Sequence, residues 1–146
     1  MDSQKPKLFI ATKAFVVHNG KVLILRESSN NPVGTNANKF DVVGGRLNPG
    51  EQWDECLRRE IKEESGLDVT IGTPFYVGEW RPVVHCELWQ IIGVFFVCHA
   101  AIDAVVLSQD HDSFLWIDPA TSNEYPLIDN LVPAFAAFRA RSGAGQ

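Results

Sequence analysis

Between Gln52 and Gly66 the chain places acidic side chains where a helix in a globular domain should bury apolar ones. At ~100° per residue, Trp53, Cys56, Leu57 and Ile61 fall on one arc, which is expected to face the core. Glu60 and Glu64 project within that same arc, and Glu63 sits at its edge. Asp54, Glu55, Arg58 and Lys62 point the other way and suit a solvated face with Glu–Lys pairs. Glu60 and Glu64 do not, because carboxylates are almost never fully buried unless paired or bound to a metal. Three carboxylates within a turn of one another, half inside, call for a cation. Oxygen-only ligands select a hard ion such as Mg²⁺ or Mn²⁺.

The segments on either side give this helix a setting. Phe9 to Val17 and Lys21 to Glu27 read as strands, joined through Asn19-Gly20, the signal of a tight hairpin. Residues 28 to 39 form a polar loop rich in turn formers. Phe40 to Val43 is a short strand running into Gly44-Gly45, where a backbone can closely approach a ligand. Asn48 is expected to cap the helix, with Pro49 at its first position and Glu51 three after the cap, and Gly66 to end it in a left-handed conformation. Phe75 to Trp80 and Phe114 to Ile117 are further strands, and Leu88 to His99 is an apolar run expected of a central strand covered on both faces. A last helix after Asp129 tolerates Pro133 in its first turns and buries Leu131, Phe135 and Phe138.

Gly45, Glu51, Arg59, Glu60, Ile61, Glu63, Glu64, Gly66 and Leu67 together resemble the signature of the Nudix hydrolases. That signature is Gly, five residues, Glu, seven residues, then Arg-Glu-aliphatic-any-Glu-Glu-any-Gly-aliphatic. The resemblance implies an α/β (α+β) fold, an α/β/α sandwich with a mixed sheet between helices, in one domain spanning residues 1–146 with flexible ends at 1–6 and 142–146. It implies hydrolysis of a nucleoside diphosphate linked to another moiety, with water attacking the diphosphate. Glu60, Glu63 and Glu64, with the carbonyl of Gly44, would hold Mg²⁺ or Mn²⁺. Glu60 and Glu63 are the candidate catalytic carboxylates, Arg59 is a catalytic partner, and Gly45 and Glu51 are structural supports. Arg26 and Arg46 are candidates for phosphate contacts by forked hydrogen bonds. Members of the family often add an acidic ligand from a distant loop, for which Asp112 is the candidate, with Asp110, Glu79 and Glu87 as rivals. Where the family often has Leu-Pro-Gly-Gly, this chain has Val42-Val43-Gly44-Gly45, which alters the stiffness of the loop.

Pro82 lies fifteen residues beyond Leu67, near where ADP-ribose hydrolases of this family carry a proline, and this resemblance implies an ADP-ribose-like or other nucleotide-sugar substrate. Nucleoside triphosphate pyrophosphatases and GDP-mannose mannosyl hydrolases are the alternatives. A non-catalytic Nudix-fold nucleotide-binding module is the rival of another class, but such proteins usually lose glutamates of the signature and none is lost here. Phe40, Trp80, Trp89 and Tyr125 are the aromatics that could stack on a base.

The rest of the sequence narrows the setting. With 146 residues, 45% of them apolar, there is enough chain for a single core. A net charge of −5 with no basic stripe argues against a large nucleic acid as partner. An acidic protein can still bind a small nucleotide when a divalent cation bridges the two sets of negative charge. Cys56, Cys86 and Cys98 have neither disulfide nor zinc spacing, and no apolar run is long enough to cross a membrane. The expectation is a cytoplasmic monomer or homodimer.

Overall fold

The computed structural model describes residues 5–28 and 38–141. The expected polar loop and flexible ends therefore lie largely outside the described residues. Eight strands and two α-helices follow one another in the order β1 (Lys7–His18), β2 (Lys21–Glu27), β3 (Phe40–Asp41), β4 (Val43–Arg46), α1 (Trp53–Ser65), β5 (Val69–Trp80), β6 (Val83–Val84), β7 (Glu87–Ala100), β8 (His111–Ile117) and α2 (Leu131–Ala140). A short 3₁₀ helix, Pro119–Glu124, precedes α2.

The long strand β1 organises the sheet. It runs parallel to β7 from Lys7 opposite Trp89 to Val17 opposite His99. On its other edge it pairs antiparallel with β4 over Ala11 to Ala14, and with β2 at Val17 and His18. β2 continues outward to β3 and β8, while β5 pairs antiparallel with β7. The β1–β2 hairpin turns on Asn19 and Gly20, both with positive φ, as the dipeptide predicts.

Because side chains alternate across a strand, these strands feed two separate cores. Ala14 and Val16 of β1, Leu23 and Leu25 of β2, and Phe96 and Cys98 of β7 pack with Leu57 and Ile61 of α1. Phe15, Val22, Ile24 and Phe95 point to the other face and pack with Leu131, Ala134 and Phe135 of α2. This is the expected sandwich, with a mixed sheet between helices. Phe15 is fully buried, its ring centroid 4.6 Å from that of Phe135 and 4.9 Å from that of Phe75, and its truncation to alanine is expected to cost about 3–5 kcal/mol.

Several local expectations differ. α1 begins at Trp53, not after Asn48. Asn48–Glu51 closes instead as a turn, Glu51 N–H donating to the Asn48 carbonyl at 2.9 Å with Gly50 at φ +86°. A proline before a positive-φ glycine is the pattern of a type II turn, and proline's fixed φ also suits a first helical position, so the sequence fits both. Gln52 takes the cap, its backbone N–H donating to Glu55 Oε1 at 3.1 Å. Trp53 consequently sits outside the core: 47% exposed, it stacks on Phe96 with ring centroids 4.7 Å apart. Phe138 is half-buried rather than buried, between Phe15, Phe75 and the Arg141 guanidinium. Gly66 ends α1 at φ +74° as expected.

Candidate active site

β4 and α1 meet at the two glycines. Gly44 lies opposite Lys13 and Gly45 opposite Thr12 in the β1–β4 ladder. Gly44 has φ +143°, and a Cβ there would stand 2.3 Å from the Thr12 carbonyl oxygen. Gly45 has ordinary backbone, but a Cβ would stand 2.5 Å from Cδ of Glu60 and 2.7 Å from both its carboxylate oxygens. The Glu60 carboxylate therefore occupies the space a side chain at position 45 would take. One turn on, Glu64 Oε1 accepts from the Gly44 backbone N–H at 2.9 Å. The glycine pair is thus pinned to the acidic face of α1 through both glutamates.

Arg59 organises the other carboxylates. Its Nε and Nη2 donate to Glu51 at 2.7 and 3.0 Å, a forked pair, while Nη1 donates to Glu60 at 2.8 Å and lies 3.5 Å from Glu63. The guanidinium holds the Glu51 carboxyl down to about 2, and is itself shifted up, chiefly by Glu51. Burial pushes Glu60 upward against the pull of Arg59. It pushes Glu64 to about 8, opposed by the Gly44 N–H and Lys13 and reinforced by Glu60 and Asp41. In both, burial outweighs the pull of the nearby cations, Arg59 and Lys13 at Glu60 and Lys13 at Glu64, a condition a bound cation relieves. Glu63 is more exposed than its two neighbours. Among the described residues no three carboxylate, histidine or cysteine side chains are already gathered as a metal cage.

A cavity of about 1030 Å³ reaches this cluster at Gly45, although no side chain of α1 lines it. Its lining includes Lys13, Asp41, Gly45 and Arg46 as well as Trp80, Pro82 and Trp89. The Arg46 guanidinium lies over two rings, 4.5 Å from the centroid of Phe9 and 4.4 Å from that of Trp89. Trp80 and Trp89, two of the four candidate stacking aromatics, line the cavity, whereas Phe40 is core and Tyr125 packs against the α2-side core. Arg26 and Asp112 pair with each other at 2.8 Å, and neither lines the cavity. Glu79 lies in the cavity wall, held by Arg81 at 2.8 Å and Gln90 at 3.0 Å, and Glu87 pairs with Lys7 at 2.7 Å.

The residue sequence reasoning missed is Lys13. Its side chain is only 9% exposed, its ammonium pairs with Asp41 at 2.9 Å, and both residues line the cavity. The signal was available, since a lysine interrupts the apolar strand Ala-Thr-Lys-Ala-Phe-Val-Val, and a lysine is seldom buried unless paired.

The NUDIX domain family matches residues 7–129, which includes the glycine pair, the acidic helix and most of the cavity wall. The chain belongs to the Nudix family. It is similar to the CTP pyrophosphohydrolase of Escherichia coli K12, 24% identical over 143 residues and covering 94% of this chain and 96% of that protein. It is also similar to the nucleoside triphosphatase NudI of the same strain, 30% identical over 96 residues that cover 61% of this chain and 68% of that protein. Among solved structures, a MutT protein from Methanosarcina mazei Go1 superposes with a TM-score of 0.81 at 26% identity, covering 94% of this chain and 96% of that one. The protein is accordingly a Nudix hydrolase, a pyrophosphohydrolase of a family that acts on small nucleotides and generally uses a divalent metal. No helix among the described residues is long and apolar enough to cross a membrane.

Proposed function

We propose that this Nudix hydrolase cleaves the phosphate chain of a nucleoside triphosphate, releasing a nucleoside monophosphate and pyrophosphate. The observation that carries this reading is the placing of two half-buried carboxylates, Glu60 and Glu64, against the glycine pair, of which Gly45 lines a cavity together with Trp80 and Trp89. Such a cavity accepts a nucleotide with its phosphates toward Gly45 and its base toward Trp80 and Trp89, where an aromatic face suits a purine or pyrimidine. Triphosphate-hydrolysing relatives, one of them matching 94% of the chain, support the choice of substrate class.

Glu60, Glu63, Glu64 and the Gly44 carbonyl are the groups that would hold Mg²⁺ or Mn²⁺, an all-oxygen donor set with hard-cation character. When bound, the ion neutralises the phosphates and acidifies the attacking water. Glu60, raised by burial and oriented by Arg59, accepts the proton of that water. Arg59 fixes Glu60 by leaning on Glu51, so that the carboxylate stays aligned without help from solvent. Arg46, braced on Phe9 and Trp89 and free of any carboxylate partner among the described residues, binds phosphate oxygen.

A second reading, a nucleotide sugar of the ADP-ribose type, draws on Pro82, which does line the cavity. A panel of nucleoside triphosphates, ADP-ribose and GDP-mannose, incubated with Mg²⁺ in ¹⁸O-labelled water, tests both. Nucleoside monophosphate and pyrophosphate from triphosphates, with label on one of those phosphates, is the expected result. Turnover confined to ADP-ribose would transfer the proposal to the second reading. Label on a sugar carbon, or no turnover of any compound, would overturn both.

A further inference from the structure

Lys13 presents its charge in the middle of a buried strand, with Ala11 and Phe15 on the same face, and the fold makes room for it. Directly across the β1–β4 ladder stands Gly44, where a Cβ would come within 2.9 Å of Lys13 Cδ, so the lysine stem occupies the place of the missing side chain. At its tip, Asp41 Oδ2 accepts one hydrogen bond at 2.9 Å, while Asp41 Oδ1 is taken by the Val42 N–H at 2.7 Å. An ammonium has three donors, and no second acceptor among the described residues takes either of the others. Lys13 lines the cavity together with Gly45 and Arg46, whose guanidinium also has no acceptor among the described residues. Two cations with unused donors thus line the same cavity as Gly45. The charge of Lys13 is felt at Glu60 and Glu64 as well.

We infer that Lys13 is a substrate-binding residue whose ammonium grips a non-bridging oxygen of the diphosphate, with Asp41 as the group that holds it in place and competes with the phosphate for it. This rests on reading the cavity as a diphosphate site. A lysine serving only as an internal counter-ion would gain nothing from losing Asp41. A lysine that must leave Asp41 to bind phosphate would.

The test uses the full chain with Mg²⁺ and imidodiphosphate, a diphosphate analogue with a P–N–P bridge that resists hydrolysis and carries no base, followed by titration calorimetry. Asp41→Asn is expected to bind it several-fold more tightly than wild type, because the competing charge is gone. The double variant Lys13→Met/Asp41→Asn, which removes both charges and leaves neither uncompensated, is expected to bind roughly tenfold or more weakly than wild type, the worth of one charge-assisted hydrogen bond. Weaker or unchanged binding by Asp41→Asn overturns the inference, as does a folded double variant within twofold of wild type. If the double variant fails to fold, Asp41→Asn against wild type decides alone. Failure of wild type to bind imidodiphosphate also overturns it. A protein that turns over no nucleotide in the panel, yet shows this pattern of binding, would sink the hydrolase reading and leave Lys13 as an anion-binding residue.

Discussion

Replacing Gly45 by alanine should separate the chemistry of this site from its stability. The added Cβ would stand 2.5 Å from Glu60 Cδ, where a relaxed carbon–carbon contact needs about 3.5–4.0 Å, so one partner must move by ~1 Å. The backbone at Gly45 is unstrained and the obstructing atoms are the end of a flexible side chain, so the carboxylate is the part that gives. The expected loss of stability is small, about 1–2 kcal/mol, within the range for inserting a methyl group into a packed site. For a chain of this size that lowers Tm by roughly 2–8 °C. Activity should fall on the order of a hundredfold, since a displacement of ~1 Å in a catalytic group has that effect. Gly44→Ala should behave in the opposite sense. Its Cβ would meet the Thr12 carbonyl at 2.3 Å and Lys13 Cα at 2.7 Å, both backbone atoms, and its φ of +143° strains any side chain. A loss above ~3 kcal/mol is expected for that variant, from overpacking and backbone strain together. Thermal melts beside initial rates on the best nucleotide of the panel provide the comparison. A Gly45→Ala protein within threefold of wild-type activity would refute the placing of Glu60 at the reaction. A Gly44→Ala protein as stable as wild type would refute the steric argument.

Three further outcomes follow from the site. Glu64, raised to about 8 by burial in the metal-free protein, costs stability as pH climbs from its unfolded value near ~4.3 toward 8 and costs nothing extra beyond it; Glu64→Gln should flatten that descent in chemical-denaturation series, whereas an unchanged slope would show that Glu64 is not the group responsible. Glu51, held down to about 2 by Arg59, acts in the other direction, contributing stability above pH ~4 that is lost as pH falls toward 2; Arg59→Gln should remove this acid-limb contribution, lower Tm at neutral pH by leaving carboxylates uncompensated, and lower activity, so a variant as active and stable as wild type would contradict the role given to Arg59. Chelation should abolish turnover, Mg²⁺ or Mn²⁺ restore it and raise Tm, and Ca²⁺ raise Tm while supporting little turnover because of its looser coordination; restoration by Zn²⁺ alone would contradict an oxygen-only site.

The layers of the fold were legible in the sequence because its periodicities are unambiguous where burial is complete. The alternation of Phe15 against Ala14 and Val16 fixes both faces of β1, and the apolar run of β7 has partners on both faces. Legibility failed where one residue pattern suits two backbones, as at Asn48-Pro49-Gly50. It failed again at the β6–β7 hairpin, whose turn places His85 and Cys86 at φ +48° and +65° without the Asn-Gly pattern that announces such turns. In the candidate site, the clustering of the glutamates followed from helical spacing and the pairing of Arg59 with Glu51 from the resemblance, but the reason for Gly45 did not, because the Glu60 carboxyl that fills its place comes from fifteen residues farther along the chain. Lys13 escaped notice because a single charge in a strand carries no periodicity. Only the register against Gly44 gives it a role.

The parallel pairing of β1 with β7 also governs when the cavity can come into being. Trp89, the first β7 residue in that ladder, stands opposite Lys7, so some eighty residues must be made and looped back before the two strands can meet. The glycine pair and the acidic helix lie wholly inside that loop, and β1 is the strand with which β4 pairs. Contacts so distant in sequence form late and slowly. β1 precedes the segment that carries the carboxylates, so β4 can pair with it as soon as both are made, whereas Trp89 and Ile91 of the cavity wall and Phe96 and Cys98 beneath α1 arrive only with β7.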